Sequence, residues 1–103
     1  MNLKIKDIIK VTNGKLIVGN EEQEVESFCK DTRIIKKDEV YIGIKGENFD
    51  GNKFWKDALE KEASTVIVQK VDIYKEDLEK YKNKNIILVE DTLKALTEIA
   101  TYK

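Results

Sequence analysis

Two uninterrupted apolar runs, at residues 65–68 and 86–89, restrict the fold of this chain more than any other feature of its sequence. A strand that is covered on both faces in a parallel sheet reads as a continuous apolar run, whereas a half-exposed strand alternates. Between the two runs, Tyr74, Leu78 and Tyr81 mark a short and highly charged helix. A helix between two buried strands predicts a βαβ crossover. We therefore predict a three-layer α/β domain with a mixed, mainly parallel sheet.

The amino-terminal part of the chain predicts one helix and two further strands. Apolar residues at helical spacing indicate a helix over about residues 3–12, and Asn13-Gly14 supplies its stop signal. Residues 15–18 and 25–30 are typical of strands. Because only a short polar turn separates them, we expect these two strands to pair as a β-hairpin.

A strand and two amphipathic helices complete the predicted elements. Apolar residues alternate with others over residues 40–45, so the two faces of this strand are expected to differ. Asp91 is placed to cap the last helix. Each helix has an apolar side that we predict to pack on the sheet. These sides consist of Phe54, Trp55, Ala58 and Leu59 in the helix that follows this strand, and of Leu93, Leu96, Thr97 and Ala100 in the last helix.

Length, charge and hydropathy exclude several classes of protein. A chain of 103 residues is long enough for one hydrophobic core but not for a multi-domain enzyme. Its 19 basic and 20 acidic residues leave a formal charge of -1, which argues against a nucleic-acid partner. No apolar run approaches the roughly 20 residues that cross a bilayer, so we expect no membrane partner. The chain start lacks the apolar stretch of a signal peptide, and we therefore expect a cytoplasmic location.

The chain contains no histidine and a single cysteine, Cys29, which fits a reducing compartment. This composition excludes His-based metal sites, a Ser-His triad and a structural zinc site. No spacing of carboxylates specifies a magnesium site. Cys29 is expected to share a strand face with Val25 and Ser27, so we interpret it as a small buried core residue rather than a nucleophile. We expect neither a metal site nor a catalytic residue.

The segment from Lys30 to Asn52 joins a polar turn, a buried strand, a loop bounded by glycines and a helix start in direct succession. The turn reads Lys-Asp-Thr-Arg, and the loop reads Gly-Glu-Asn-Phe-Asp-Gly-Asn. α/β domains hold anionic small molecules with this order of elements. Glycines at both ends of the loop permit positive φ angles and a close approach of backbone to ligand. We interpret the loop as a cradle for the edge of a planar base, with Phe49 as apolar cover.

The same segment resembles the amino-terminal domain of the Mur ligases, which build the peptide stem of the bacterial cell wall. The family pattern is an Asp-Ser-Arg turn, an apolar strand and a Lys-Gly-x-x-x-Asp-Gly-His loop that enters a helix. Two later segments extend the resemblance: Ala-x-x-Val-Ile-Val from Ala63 and Asp-Thr-Leu-Lys-Ala-Leu from Asp91. The loop is closest to that of ligases that join D-alanyl-D-alanine to UDP-N-acetylmuramoyl-tripeptide. The resemblance implies a partial mononucleotide-binding, Rossmann-like fold.

In this family the loop holds the uracil ring of the UDP-linked substrate, and the resemblance implies substrate-binding roles for ten residues of this chain. They are Thr32, Arg33, Lys45, Gly46, Glu47, Asn48, Phe49, Asp50, Gly51 and Asn52. Backbone atoms of Glu47, Asn48 and Phe49 are expected to matter more than their side chains. Lys45, at the end of the strand, is expected to face the ligand.

Several positions depart from the family pattern or have an alternative interpretation. Thr32 replaces the family serine but keeps a hydroxyl for a uridine or diphosphate oxygen. Arg33 suits bidentate contacts to the diphosphate, but an ion pair with Asp31 is the preferred interpretation. Asp50 fits a turn and helix cap equally well. Asn52 stands where the family prefers histidine. Outside the loop, two glycines of the pattern are replaced, at positions 38 and 62.

The resemblance implies that residues 1–103 are the UDP-binding domain of a larger ligase, without its central ATPase and carboxy-terminal domains. The last helix has no glycine or proline to stop it, and no Gly-x-x-x-x-Gly-Lys-Ser/Thr phosphate loop occurs. The family's parent enzyme uses ATP and Mg²⁺ to activate the terminal carboxylate of UDP-N-acetylmuramoyl-tripeptide for attack by D-alanyl-D-alanine in peptidoglycan precursor synthesis. The chain alone is expected to bind UDP weakly, to carry no cofactor and to be inactive.

Two other functions remain open at this point. The ligase that adds the third stem residue to UDP-N-acetylmuramoyl-dipeptide shares this domain. The second alternative is a non-catalytic α/β module that binds another protein. For either ligase, the expected partners are the UDP end of the substrate and the remaining domains of the same enzyme.

Overall fold

The computed structural model describes residues 3–102 of the chain. The elements, in order, are β1 (Leu3–Lys4), α1 (Ile5–Thr12), β2 (Lys15–Val18), β3 (Glu24–Val25), β4 (Phe28–Cys29), β5 (Val40–Ile42), a 3₁₀ turn (Gly51–Phe54), α2 (Trp55–Glu60), β6 (Thr65–Val68), α3 (Lys75–Lys80), β7 (Asn85–Leu88) and α4 (Thr92–Tyr102). The predicted last helix extends to Lys103, which lies outside the described residues. None of these helices is long and apolar enough to cross a membrane.

Five strands form one mixed sheet in the order β2-β7-β6-β5-β4. The four strands from β4 to β7 are parallel, and β2 runs antiparallel to β7. The parallel register aligns Thr65 with Val40 on one side and with Asn85 on the other. The predicted mixed, mainly parallel sheet is therefore confirmed. β1 and β3 form a separate two-stranded antiparallel sheet.

Helices cover both faces of the sheet, which gives the three predicted layers. Successive strand side chains point to opposite faces, so β5, β6 and β7 each contribute to two hydrophobic clusters. Ile67 packs on the side of α1 and α4, whereas Val66 and Val68 pack on the side of α2. The unequal faces predicted for residues 40–45 were wrong. Val40 and Tyr41 are 0% and 1% exposed because α2 covers the second face of β5.

The predicted hairpin between residues 15–18 and 25–30 is wrong. β2 pairs instead with the buried strand β7, in an antiparallel ladder whose register shifts between Leu16 and Val18. Residues 25–30 are not one strand either: β3 pairs with β1, and β4 pairs with β5. Pairing with β3 also makes residues 3 and 4 a strand, so α1 begins at Ile5. The stop signal after α1 is confirmed, since Asn13 adopts the left-handed conformation with φ 56°.

The predicted burial of Cys29 together with Val25 and Ser27 is also corrected. Ser27 lies between the two short strands and is exposed, while Val25 is buried in the small sheet. Cys29 is half-buried, and its Sγ donates to the carbonyl of Asp31 at 3.2 Å. The cysteine therefore stabilises the turn that follows β4 rather than filling the core.

The packed side of α2 is confirmed, while that of α4 is shifted by one residue. Trp55, Ala58 and Leu59 are buried under the sheet. In α4 the buried residues are Thr92, Ala95 and Ile99, and Leu93 is 58% exposed. A long-range contact favours this side, because the Gln69 side-chain oxygen accepts from both the amide and the hydroxyl of Thr92. The cap is confirmed, since the Asp91 carboxylate accepts from the amides at positions 93 and 94.

Candidate functional site

Residues 44–51 form a small hairpin beyond the carboxyl end of β5. The amide of Gly51 donates to the carbonyl of Ile44 at 2.9 Å, and the amide of Gly46 donates to the carbonyl of Phe49 at 2.7 Å. The two polar residues between Gly46 and Phe49 form the exposed tip. The glycine-bounded loop of the sequence is therefore an ordered structure with its own backbone hydrogen bonds.

Tyr41 fixes the base of this hairpin. Its buried hydroxyl donates to the carbonyl of Gly51 at 2.6 Å, and burial raises the pKa of Tyr41 to about 12. A β-carbon at Gly51 would lie 3.0 Å from backbone atoms of Ile44, so the tight packing favours glycine at this position. A β-carbon at Gly46 would make an ordinary contact with the carbonyl oxygen of Phe49 at 3.7 Å, so packing does not require glycine there. The loop glycines do not use the positive φ that glycine permits: within residues 3–102, positive φ among glycines occurs at Gly19.

The turn after β4 forms the opposite side of the site. The amide of Ile34 donates to the carbonyl of Asp31 at 3.2 Å, which closes the turn. Lys61, at the end of α2, donates from Nζ to the carbonyl of Thr32 at 3.1 Å. A backbone hydrogen bond within the turn and a side-chain hydrogen bond from the end of α2 therefore hold the turn in place.

Within this turn, Arg33 forms a bidentate ion pair with Asp31. The guanidinium Nη2 lies 2.8 Å from Oδ2 of Asp31, and Nε lies 3.0 Å from Oδ1. Hydrogen bonds from the side chain and backbone of Arg33 lower the pKa of Asp31 to about 2. The ion pair preferred for Arg33 from the sequence is thus present, and the Arg33 side chain is still 85% exposed.

A cleft of about 580 Å³ lies between the hairpin and the turn. Four of the ten predicted site residues line it: Thr32, Arg33, Gly46 and Phe49. One wall carries an aromatic pair, since the rings of Phe49 and Phe54 stack with centroids 5.5 Å apart and planes 11° apart. The opposite wall carries the charged groups of the turn. The cleft therefore places a flat apolar surface beside hydrogen-bond donors and positive charge.

The other six predicted residues do not line the cleft. Three are exposed in the hairpin, namely Lys45, Glu47 and Asn48, and Gly51 is buried at its base. Asp50 caps the 3₁₀ turn by accepting from the amide and side chain of Asn52, and these bonds lower the pKa of Asp50. Asn52 is 3% exposed, and its side-chain oxygen accepts from the amide of Gln69. The Asn52 side chain therefore joins the 3₁₀ turn to the segment that follows β6.

Five residues that line the cleft were not assigned to the site from the sequence: Lys30, Asp31, Tyr41, Ile44 and Phe54. For Phe54, packing on the sheet was the preferred interpretation of the sequence, with base stacking as the alternative. A signal for it exists in the sequence, because Phe54 follows Phe49 of the loop by only five residues, on the other side of Gly51. No comparable signal marks Tyr41, which reads as an ordinary strand residue.

ATP and Mg²⁺ have no fitting site among the described residues. In residues 3–102, no group of three or more acidic or cysteine side chains is arranged to hold a metal ion. A second, shallower depression of about 290 Å³ lies beside the 3₁₀ turn, and its charged lining residues are Asp50, Lys53, Lys70 and Asp72. Its mixed charges do not match a triphosphate, and the sequence lacks the glycine-rich phosphate loop.

Comparison with known proteins identifies relatives over nearly the whole chain. The family model described as "Mur ligase family, catalytic domain" matches residues 24–103. UDP-N-acetylmuramoyl-L-alanyl-D-glutamate–2,6-diaminopimelate ligase of Clostridium perfringens is 37% identical over 92 residues, 89% of this chain and 18% of that protein. UDP-N-acetylmuramoyl-tripeptide–D-alanyl-D-alanine ligase of Bacillus subtilis is 32% identical over 97 residues, 93% of this chain and 19% of that protein.

Solved structures share the fold. A crystal structure of MurF from Acinetobacter baumannii matches with a TM-score of 0.76 at 19% identity, over 99% of this chain and 21% of that one. MurF of Thermotoga maritima in complex with ADP matches with a TM-score of 0.60 at 23% identity, over 76% and 16%. The chain thus spans about a fifth of the length of these relatives. Since the family model covers more than half of the chain, the chain belongs to the Mur ligase family.

Proposed function

We propose that this chain anchors the UDP end of a UDP-N-acetylmuramoyl-peptide in an ATP-dependent ligase of peptidoglycan precursor synthesis. The cleft between the hairpin and the turn after β4 carries this proposal. Its stacked Phe49 and Phe54 rings offer a flat apolar surface to a base, while Lys30 and Arg33 offer positive charge to a diphosphate. Relatives of both kinds described above are named for UDP-N-acetylmuramoyl substrates.

The proposed contacts divide by chemistry. The uracil ring packs on the apolar wall, and the backbone of the hairpin tip hydrogen-bonds to its polar edge. The hydroxyl of Thr32 and the guanidinium of Arg33 contact the ribose or the diphosphate. Lys45, Glu47 and Asn48 contribute through backbone position rather than through the cleft wall. Asp50, Gly51 and Asn52 act indirectly, by holding the hairpin against the 3₁₀ turn.

In this proposal residues 1–103 are the UDP-binding domain of a longer, cytoplasmic ligase, and ATP and Mg²⁺ bind to other parts of that enzyme. Holding the nucleotide end of a long substrate positions its distant carboxylate, so binding energy is used away from the reacting centre. The 103-residue chain alone is expected to bind UDP without catalysing amide formation.

The identity of the ligase remains a prediction with two candidates. The sequence pattern of the hairpin favours the ligase that adds D-alanyl-D-alanine to the UDP-linked tripeptide. The identities of 37% and 35% to two clostridial 2,6-diaminopimelate ligases favour the enzyme that adds the third stem residue. An assay of the complete ligase with each pair of substrates separates them. Amide formation with UDP-N-acetylmuramoyl-tripeptide and D-alanyl-D-alanine, and not with the other pair of substrates, would establish the first candidate.

Titration of ¹⁵N-labelled protein with UDP tests the proposed site. We expect localised amide shifts at Thr32 and at residues 46–52, with smaller effects elsewhere. The α/β protein-interaction module predicts instead that shifts stay scattered or absent up to millimolar UDP. That outcome would exclude the substrate-anchoring function.

A pair of matched variants distinguishes the cleft from exposed aromatic surface in general. Phe49 and Tyr74 are 58% and 56% exposed, but Phe49 lines the cleft and Tyr74 does not. Phe49→Ala is expected to weaken UDP binding about tenfold, because base–aromatic stacking contributes about 1–3 kcal/mol. Tyr74→Ala is expected to leave the affinity unchanged. Equal losses from the two substitutions would contradict the proposed location.

A further inference from the structure

We propose that Asp31 is a positioning residue that orients the Arg33 guanidinium for a diphosphate in the cleft. This inference rests on the proposed function. It concerns Asp31, a residue to which the family resemblance gave no substrate-binding role. Asp31 and Arg33 both line the cleft, on the wall opposite the stacked phenylalanines. Their pairing decides which nitrogen atoms of Arg33 remain for a ligand.

The geometry of the pair is side-on. Nε of Arg33 lies 3.0 Å and 3.2 Å from the two carboxylate oxygens of Asp31, and Nη2 lies 2.8 Å from Oδ2. This edge of the guanidinium is therefore occupied. The end-on edge, with Nη1 and the second hydrogen of Nη2, keeps the two parallel donors that match two oxygens of a phosphate.

The backbone around the pair limits its freedom. Oδ1 of Asp31 also accepts from the amide of Arg33 at 2.9 Å, so one carboxylate fixes both the backbone and the side chain of the arginine. Lys61 holds the carbonyl of Thr32 from α2, and the thiol of Cys29 holds the carbonyl of Asp31. An exposed arginine normally loses side-chain entropy when it binds an anion. Here part of that entropy is already lost in the free protein.

The same carboxylate has an opposing effect, because it brings a negative charge near a negative ligand. Of the charged residues that line the cleft, Lys30 and Arg33 are positive and Asp31 is negative. If repulsion outweighed orientation, removal of the charge at Asp31 would strengthen UDP binding. The two effects therefore predict opposite signs for the same substitution.

The test compares UDP with uridine, which lacks the diphosphate, in wild type, Asp31→Asn, Arg33→Gln and the double variant, at one ionic strength. Asp31→Asn keeps an oxygen for the Arg33 amide but removes the ionic contact. We expect it to weaken UDP binding on the order of threefold to fivefold, as befits an exposed ion pair, and to leave uridine binding unchanged. In the Arg33→Gln background the same change is expected to have no effect on UDP.

Each other outcome contradicts the inference. Tighter UDP binding by Asp31→Asn means that repulsion dominates, and parallel losses for UDP and uridine mean that Asp31 only supports the turn. A loss of UDP affinity that persists without Arg33 means that Asp31 acts independently of the arginine. If the wild type binds uridine and UDP equally, the positioning role fails while the base site stands. If it binds neither, the proposed function fails.

Discussion

At the scale of single residues, the two positions where this chain replaces a glycine of the family pattern both adopt the left-handed conformation. Asp38 and Glu62, which replace glycines of that pattern, have φ angles of 67° and 73°. Glu62 follows α2, where its amide donates to the carbonyl of Leu59 and the next amide donates to the carbonyl of Ala58. These bonds form a Schellman closure, which favours glycine at the position of Glu62. The carbonyl of Glu62 also accepts from the amide of Asp38 at 2.8 Å, so the two strained residues are joined.

Replacement of Glu62 by glycine is therefore expected to stabilise the protein. The left-handed conformation costs an L-residue with a β-carbon roughly 1–2 kcal/mol, and the greater freedom of glycine in the unfolded chain offsets part of that gain. We expect Glu62→Gly to raise the free energy of unfolding by about 0.5–1 kcal/mol in urea denaturation. Glu62→Ala, which keeps the β-carbon, is expected to give no such gain. An equal gain from both variants would assign the effect to loss of charge.

Asp31 gives a pH prediction at the same scale. Its pKa falls from the ordinary 3.8 to about 2 in the folded state, chiefly through the side-chain hydrogen bonds from Arg33. Because the folded pKa is the lower one, this stabilisation is fully present above about pH 4 and is lost as the pH falls towards 2. Carboxyl ¹³C shifts are expected to show Asp31 titrating near 2 in wild type and at a higher pH in Arg33→Gln, which loses the side-chain hydrogen bonds but keeps the one from the backbone amide. The titration of Asp50, whose pKa depends first on Asn52, serves as the control.

At the scale of elements, Asn85 joins the start of β7 to the segment between β2 and β3. Its side-chain oxygen accepts from the amide of Asn20 at 2.8 Å. Its side-chain nitrogen donates to Gln23 at 3.0 Å and to the hydroxyl of Thr65 at 3.2 Å. Asn85 is 1% exposed, so these bonds form in the absence of competing water. The residue therefore helps to direct the chain from the edge of the main sheet towards the small sheet.

Asn85→Ala is expected to lower the free energy of unfolding by about 2 kcal/mol, because it leaves buried polar groups without partners and a small cavity. Asn83, two residues earlier, is exposed, and Asn83→Ala is expected to change stability by less than about 0.5 kcal/mol. Chemical denaturation of both variants provides the measurement. Similar small effects in both would mean that the Asn85 network contributes little.

At the scale of the whole molecule, the direction of the sheet locates the cleft. The parallel strands follow one another in space from β4 to β7, so no reversal of strand order opens a crevice in the middle of the sheet. The connection from β4 to β5 contains no helix, whereas the next two connections contain α2 and α3. The cleft lies at the carboxyl ends of β4 and β5, beside the start of α2.

Ligand binding in this cleft is expected to stabilise the entire domain. A ligand that binds only the folded state at ten times its dissociation constant raises the free energy of unfolding by about 1.4 kcal/mol. We expect UDP to produce this increase in denaturation experiments on wild type, with much less on Phe49→Ala at the same concentration. An equal increase in both proteins would place the UDP site elsewhere.

Local patterns were sufficient to predict the three-layer class, the parallel strands, the apolar side of α2 and the caps of α1 and α4, since each depends on neighbouring residues and on burial. Long-range pairing decided the rest. The partner of β2 and the division of residues 25–30 between two sheets depend on which edges are free, and short strands do not specify this. The bond from Gln69 to Thr92 selected the buried side of α4 from two apolar stripes one residue apart.

In the candidate site, the motif identified the turn and the hairpin. Only the packed structure turned Asn52 towards Gln69, buried Tyr41 beneath Gly51 and brought Phe54 onto Phe49, because these contacts join residues whose distances the local sequence does not determine.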